Sequence, residues 1–172
     1  MIPKRDLDAH AAWVTGWPPD GAQLVLDGRD LRQESFHGTF LEKAVFRDCD
    51  LAGVSFAYAD LDDASFIDCH LDATALIHLR NRGLRLMGCR GRVLLAESTV
   101  STGRLDRCLL AQSGFRAAWW TEVEVTDCDL RGSLWTDAVL RDVRFVRCDL
   151  RGTGIGPTTS GVECLECQVD DG

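Results

Sequence analysis

The chain lacks any run of eighteen apolar residues, so no segment could cross a bilayer as a helix. Its start, MIPKRDLDAHAAW, lacks the apolar core of a secretory signal, which points to a cytoplasmic protein. It has no Walker phosphate loop, no GxSxG nucleophile elbow and no HExxH zinc helix. Its four histidines, His10, His37, His70 and His78, are scattered. The one CxxC, Cys164 to Cys167, has no second ligand pair nearby to complete a tetrahedral zinc site. That segment reads as a tail and a frayed last coil, with a redox or metal role as the alternative. These absences set enzymatic chemistry aside: no catalytic residue, cofactor, metal or small-molecule substrate is expected.

What is present is a clock. Cys49, Cys69, Cys89, Cys108, Cys128 and Cys148 recur at intervals of twenty, twenty, nineteen, twenty and twenty residues, and Cys167 follows nineteen later. A period of about 20 residues signals stacked repeats in which each unit packs on its neighbours. Inside it runs a beat of five. From Cys49 the chain divides into CDLAG, VSFAY, ADLDD and ASFID, and from Cys128 into CDLRG, SLWTD, AVLRD and VRFVR. The third place is large and apolar, as at Leu51, Phe56, Leu61, Phe66, Trp120 and Phe145. The first place is slim: Cys, Val, Ala, Ser or Thr.

A helix needs apolar residues at a period near 3.6 and a long strand at a period of two. Five fits neither. The first and third places of one pentad are two apart, so they point the same way on a short extended segment, and a turn must follow. Four such faces close a square coil of twenty residues. Coils stacked about 4.8 Å apart place the bulky and slim side chains in one lumen and the cysteines in one column.

The units CDLAG at Cys49, ADLDD at Ala59, and CDLRG at Cys128 and Cys148 resemble the small-Asp-Leu-polar-polar motif of the pentapeptide-repeat family. The resemblance spans roughly Leu24 to Ile155 and implies an all-β fold, a right-handed quadrilateral parallel β-helix of a little over six turns. Leu7, His10, Val14 and Trp17 lie at helical spacing before Pro18-Pro19, so a short helix near Arg5 to Thr15 should cap the first coil. Trp13 and Trp17 are expected to cover the lumen, a binding role being the alternative. The organisation expected is residues 1–21 as capping helix and linker, 22–156 as β-helix and 157–172 as tail or partial last coil. The eight cysteines are expected reduced, packed as small core residues with parallel side chains.

The beat falters between Leu79 and Val93. Asn81 and Gly91 take places meant for Leu or Phe, and the Cys89 pentad, CRGR, is one residue short. The segment is either an irregularity in which Asn81 bonds freed backbone groups or an interaction site on a bend or loop. Arg80, Arg82, Arg85, Arg90 and Arg92 crowd there. The formal charge of -8 is uneven. From Asp27 to Asp72 eleven acids face four bases, while from Ala73 to Leu110 seven bases face two acids. An acidic half, with Asp60, Asp62 and Asp63, therefore meets a basic waist. Asp50, His70 and Arg90 should stack in one outward ladder, a weak surface ion network. Trp119 should face solvent because Trp120 takes the inward place, and an exposed Trp suits an interface.

Two functions follow. One is a non-enzymatic protein-interaction scaffold or adaptor, with Trp119, Arg80, Asn81, Arg82, Arg85, Arg90, Arg92, Asp60, Asp62 and Asp63 as contact candidates. The other is implied by the resemblance: a DNA-mimicking binder of a type II topoisomerase, DNA gyrase or topoisomerase IV. The partner is another protein of open identity. Neither a membrane nor direct DNA binding is expected, because acidic surfaces repel phosphates, the waist being the one exception for DNA. Monomer and dimer both stay open.

Overall fold

Residues twenty apart in sequence are hydrogen-bonded neighbours in space, and that register builds the molecule. The computed structural model describes residues 2–17, 20–156 and 159–170. A single helix, α1 (Lys4–Thr15), precedes twelve short strands among the described residues. They are β1 (Val25–Asp27), β2 (Val45–Arg47), β3 (Ser65–Ile67), β4 (Arg80–Arg82), β5 (Arg85–Met87) and β6 (Thr99–Ser101). The rest are β7 (Arg104–Asp106), β8 (Trp119–Thr121), β9 (Glu124–Thr126), β10 (Val139–Arg141), β11 (Val143–Val146) and β12 (Val162–Leu165).

Every pairing is parallel, and the chain forms a β-solenoid of about seven turns with four walls. Wall 1 is a ladder of single bridges linking Asp30, Asp50, His70, Arg90, Leu109, Asp129, Asp149 and Gln168. Wall 2 links Ser35, Ser55, Ala75, Leu94, Gly114 and Leu134. Wall 3 carries Phe40 and Asp60, then the sheet β4-β6-β8-β10. Wall 4 is the eight-stranded sheet β1-β2-β3-β5-β7-β9-β11-β12. The coil therefore runs beyond Ile155, where the five-beat ends: Glu163 pairs with Arg144 and Gln168 with Asp149, both nineteen residues on.

The pentad beat explains the walls. From Leu41 to Trp135 the first and third places point inward and, Gly91 apart, are buried; second and fourth places point out. The fifth place turns the corner with a left-handed backbone, as at Asp48, Asp63, Asp68, Asp127, Asp137 and Asp142. Asp tolerates that conformation better than most residues, which is why acids collect at the corners. Inside, Phe36 stacks on Phe56 and Phe46 on Phe66, each at 4.8 Å, the spacing of the strands that carry them. Each such ring stabilises the fold by roughly 1.5–3 kcal/mol through its burial. Wall 1 contributes the cysteines. Cys49, Cys69, Cys89, Cys108 and Cys148 each donate Sγ–H to a carbonyl of the preceding coil at 3.3–3.5 Å. Contact with the Cys108 and Cys69 thiols, together with burial, pushes the Cys89 thiol up.

The cap differs from expectation. Trp13 and Trp17 do not cover the lumen: they are 37% and 78% exposed. The buried side of α1 instead presents His10 and Ala12, with Ile2 just ahead of it. The reason is a hydrogen bond. Nδ1 of His10 accepts the Leu24 N–H at 2.9 Å, which pins the helix with its tryptophans turned outward. The Pro18-Pro19 stop lies outside the described residues.

The irregular segment is not an extruded loop. It is two separate defects. Gly91 takes an inward place on wall 1 with φ +116°, and a Cβ there would lie 2.5 Å from the Asp72 nitrogen, so only glycine fits the shortened turn. On wall 3, bridges join Phe40 to Asp60 and Arg80 to Thr99, but none joins Asp60 to Arg80. Walls 1, 2 and 4 have no such gap among the described residues. Asn81 sits at this gap, buried in the lumen. Contrary to expectation it bonds no backbone group: its Nδ2 and Oδ1 both lack partners.

Two outcomes follow. Replacing Asn81 by Leu removes a buried unsatisfied amide and should stabilise the protein by about 1–3 kcal/mol in urea unfolding; a loss would show that the amide is needed. Burial holds His10 below its ordinary value of 6.5, with Glu42 opposing. The unfolded chain then binds the extra proton first, so stability is full above that value and falls as pH drops below it. The unfolding midpoint should fall between pH 7.5 and 5.5 in the wild type and fall less in His10→Gln; equal slopes would contradict the clamp. The carboxylates of Asp127, Asp129 and Asp149, held low by the guanidiniums of Arg147, Arg131 and Arg151, respond only in more acid solution.

Candidate interaction surface

Wall 3 gathers the outward side chains that differ most from the polar pattern. Its second places stack as Phe40, Asp60, Arg80, Thr99, Trp119 and Val139. Its fourth places stack as Glu42, Asp62, Arg82, Ser101, Thr121 and Arg141. Trp119 is 52% exposed, as its place in the pentad requires, and Phe40 is 68% exposed.

The corner leading into the wall is aromatic. Tyr58, 60% exposed, stacks on His78 at 4.9 Å and meets His37 edge-on at 5.4 Å. Nδ1 of His78 lies 3.6 Å from Oε2 of Glu97. Between the Tyr58–His78 stack and Trp119 runs a groove of about 770 Å³, floored by Asp60, Arg80 and Thr99. It lies over the break in the ladder, so the surface concavity and the lumen defect share one place.

Local hydrogen bonds occupy the acids here. Oδ1 of Asp60 accepts the Asp62 N–H at 3.1 Å, and Oδ1 of Asp62 accepts the Arg82 N–H at 2.7 Å. The Asp63 N–H still donates to the Arg82 carbonyl at 2.7 Å, holding the corner shut beside the break. The guanidiniums of Arg80 and Arg82 form no ion pair among the described residues. The waist is therefore a belt and not one patch. Arg85 and Arg104 lie on wall 4, paired with Asp63 at 3.5 Å and Glu124 at 3.6 Å. Arg90 lies on wall 1 with Arg92 just beyond it, away from Trp119.

Of the sequence candidates, wall 3 brings together Trp119, Arg80, Arg82, Asp60 and Asp62, with Asp63 at its far corner. Arg85, Arg90 and Arg92 point elsewhere, and Asn81 points inward. Phe40, Tyr58 and His78 were missed. Phe40 takes the second place of its pentad, as Trp119 does, and so was legible from the same spacing; Tyr58 and His78 take fifth, corner places, whose side chains the spacing does not orient. The ladder of Asp50, His70 and Arg90 holds only in part. His70 lies 3.2 Å from Asp50, and Asp50 is also 3.5 Å from Arg32, but Arg90 forms no ion pair among the described residues. Among those residues no group of three His, Cys, Asp or Glu side chains could hold a metal ion. Among the described residues no helix is long and apolar enough to cross a membrane.

The family model described as pentapeptide repeats matches eight copies, over residues 34–77 and 121–153. No curated protein matches the chain. Among solved structures it is similar to a trypsin-treated form of QnrB1, a plasmid-mediated fluoroquinolone resistance protein, with 18% identity over 87% of this chain and 91% of that one, at a TM-score of 0.38. It is also similar to HetL, a pentapeptide repeat protein involved in heterocyst differentiation regulation in the cyanobacterium Nostoc, with 16% identity over 98% and 94%, at 0.29. A pentapeptide repeat protein of the Arabidopsis thaliana thylakoid lumen shares 21% identity over 75% and 70%, also at 0.29.

Proposed function

The chain belongs to the pentapeptide-repeat family, and on that premise we propose that it is a non-enzymatic protein-interaction scaffold that docks its partner on wall 3. One observation carries this reading: the exposed rings of Phe40 and Trp119 share wall 3 with the guanidiniums of Arg80 and Arg82, which have no ion partners among the described residues, and exposed Tyr58 flanks the wall at its corner. Rigid aromatic anchors beside Arg are the residue types that dominate interface energies. The lumen is filled by side chains, which leaves recognition to the outside of the walls.

The alternative is a DNA-mimicking binder of a type II topoisomerase such as gyrase. Its support is the net charge of -8. Against it, the basic waist of Arg80, Arg82, Arg85, Arg90 and Arg92 ends the acidic stretch, and Asp63 and the acids of the later coils are paired locally. A duplex mimic needs an unbroken negative stripe to compete for a basic saddle.

Pull-downs from the native cytosol should lose the same partner with Trp119→Ala and with Arg80→Glu/Arg82→Glu, while Arg90→Glu/Arg92→Glu, on the other side of the rod, retains it. Identical partner lists for all three would overturn the placement on wall 3. In gyrase supercoiling assays with and without a quinolone, the protein should change neither rate nor inhibition. Protection would replace the scaffold reading with the topoisomerase one.

A further inference from the structure

Charge on wall 3 changes sign between two adjacent turns. Asp60 and Asp62 lie on one turn and Arg80 and Arg82 on the next, in the same two columns: no bridge joins Asp60 to Arg80, but the Arg82 N–H donates to Asp62 and the Asp63 N–H to the Arg82 carbonyl. Their charged side chains form no ion pair among the described residues: Oδ1 of Asp60 accepts the Asp62 N–H, and Oδ1 of Asp62 accepts the backbone N–H of Arg82, which leaves both guanidiniums open. Such a pattern is self-complementary. A two-fold axis along the strand direction, midway between the two turns, keeps each column and reverses the order of turns. Asp60 then faces Arg80 of a second copy, Asp62 faces Arg82, and symmetry repeats both pairs.

The same operation tests the shape. Phe40 lies one turn below Asp60, and Thr99 one turn above Arg80. The axis therefore brings Phe40 opposite Thr99 of the second copy, on the floor of the groove between the Tyr58–His78 stack and Trp119. An exposed ring meets a concave site at the register that the charges choose. Docking the rods in parallel would instead set Asp60 on Asp60 and Arg80 on Arg80, which like-charge repulsion opposes.

We propose that wall 3 is the interface of an antiparallel, face-to-face homodimer, held by reciprocal Asp60–Arg80 and Asp62–Arg82 contacts with Phe40 seated in the partner copy's groove. The proposal rests on wall 3 being the docking surface and names its occupant as a second copy of this chain. The matched region covers four turns, about 20 Å of the rod. That is small beside the roughly 800 Å² per partner of a standard interface, so the dimer is reversible and concentration-dependent. Because ion pairs set its register, salt weakens it.

Sedimentation velocity on the purified full-length chain tests this without any other protein present. From about 10 µM to about 1 mM the mass should rise from the 19.0 kDa monomer towards twice that value at about 50 mM salt, with the dissociation constant at least tenfold weaker at about 500 mM. Arg80→Asp/Arg82→Asp and Asp60→Lys/Asp62→Lys should each stay monomeric, and their equimolar mixture should associate. Phe40→Ser, which changes only an exposed ring, should weaken association at least tenfold. A wild type that stays monomeric throughout, or a Phe40→Ser variant that associates like wild type, overturns the interface. So does a mixture of folded charge variants that fails to associate. None of these results removes docking of a different protein on the same wall, which the pull-down addresses separately.

Discussion

Parallel hydrogen bonding between residues about twenty apart is the constraint from which everything else follows. Each coil uses its N–H and C=O groups to hold the coils above and below it, at a spacing near 4.8 Å. That spacing stacks Phe36 on Phe56 and Phe46 on Phe66, and lines up the thiols from Cys49 to Cys148. It also stacks the outward side chains, so any surface property of one turn is set against that of the next. The sign change from Asp60 to Arg80 matters for this reason: the coil brings residues twenty apart onto neighbouring turns, and Arg82 bonds to Asp62 and Asp63 even where the bridge between Asp60 and Arg80 is open.

The same constraint makes departures informative. The shortened coil at Gly91 is absorbed on wall 1, where glycine lets the backbone pass close to Asp72. The gap between Asp60 and Arg80 is absorbed in a wall, next to a buried Asn81 amide without partners. Asp62 and Asp63 hold both turns together beside it through Arg82. A polar side chain in a dry lumen and an unbridged stretch of wall coincide with the groove that Tyr58 and Trp119 border. Proteins retain such irregularities where a surface must depart from its repeat.

Much of this was legible from spacing alone. The five-beat placed Leu61, Trp120 and Phe145 inside and Trp119 outside, because a pentad decides which side of the wall each residue takes. The orientation of α1 was not legible: a helical period names a face but not the bond, His10 to Leu24, that chooses it. The basic waist looked like one site because sequence counts charges along the chain, whereas the coil distributes them around a rod. Pairing of Arg85 with Asp63 depends on corner geometry that no spacing reveals. The groove was invisible for a related reason, since Tyr58 and Trp119 border one concavity although sixty-one residues separate them.

Amide hydrogen exchange tests the central claim of an in-register ladder with one opening. The N–H groups of Asp60, Thr99, Trp119 and Val139 each donate to a carbonyl of the preceding coil, and that of Arg80 has no such acceptor among the described residues. Protection should be high at the first four and low at Arg80. Uniform protection along wall 3 would contradict the break, and fast exchange at Trp119 and Val139 would contradict the ladder itself.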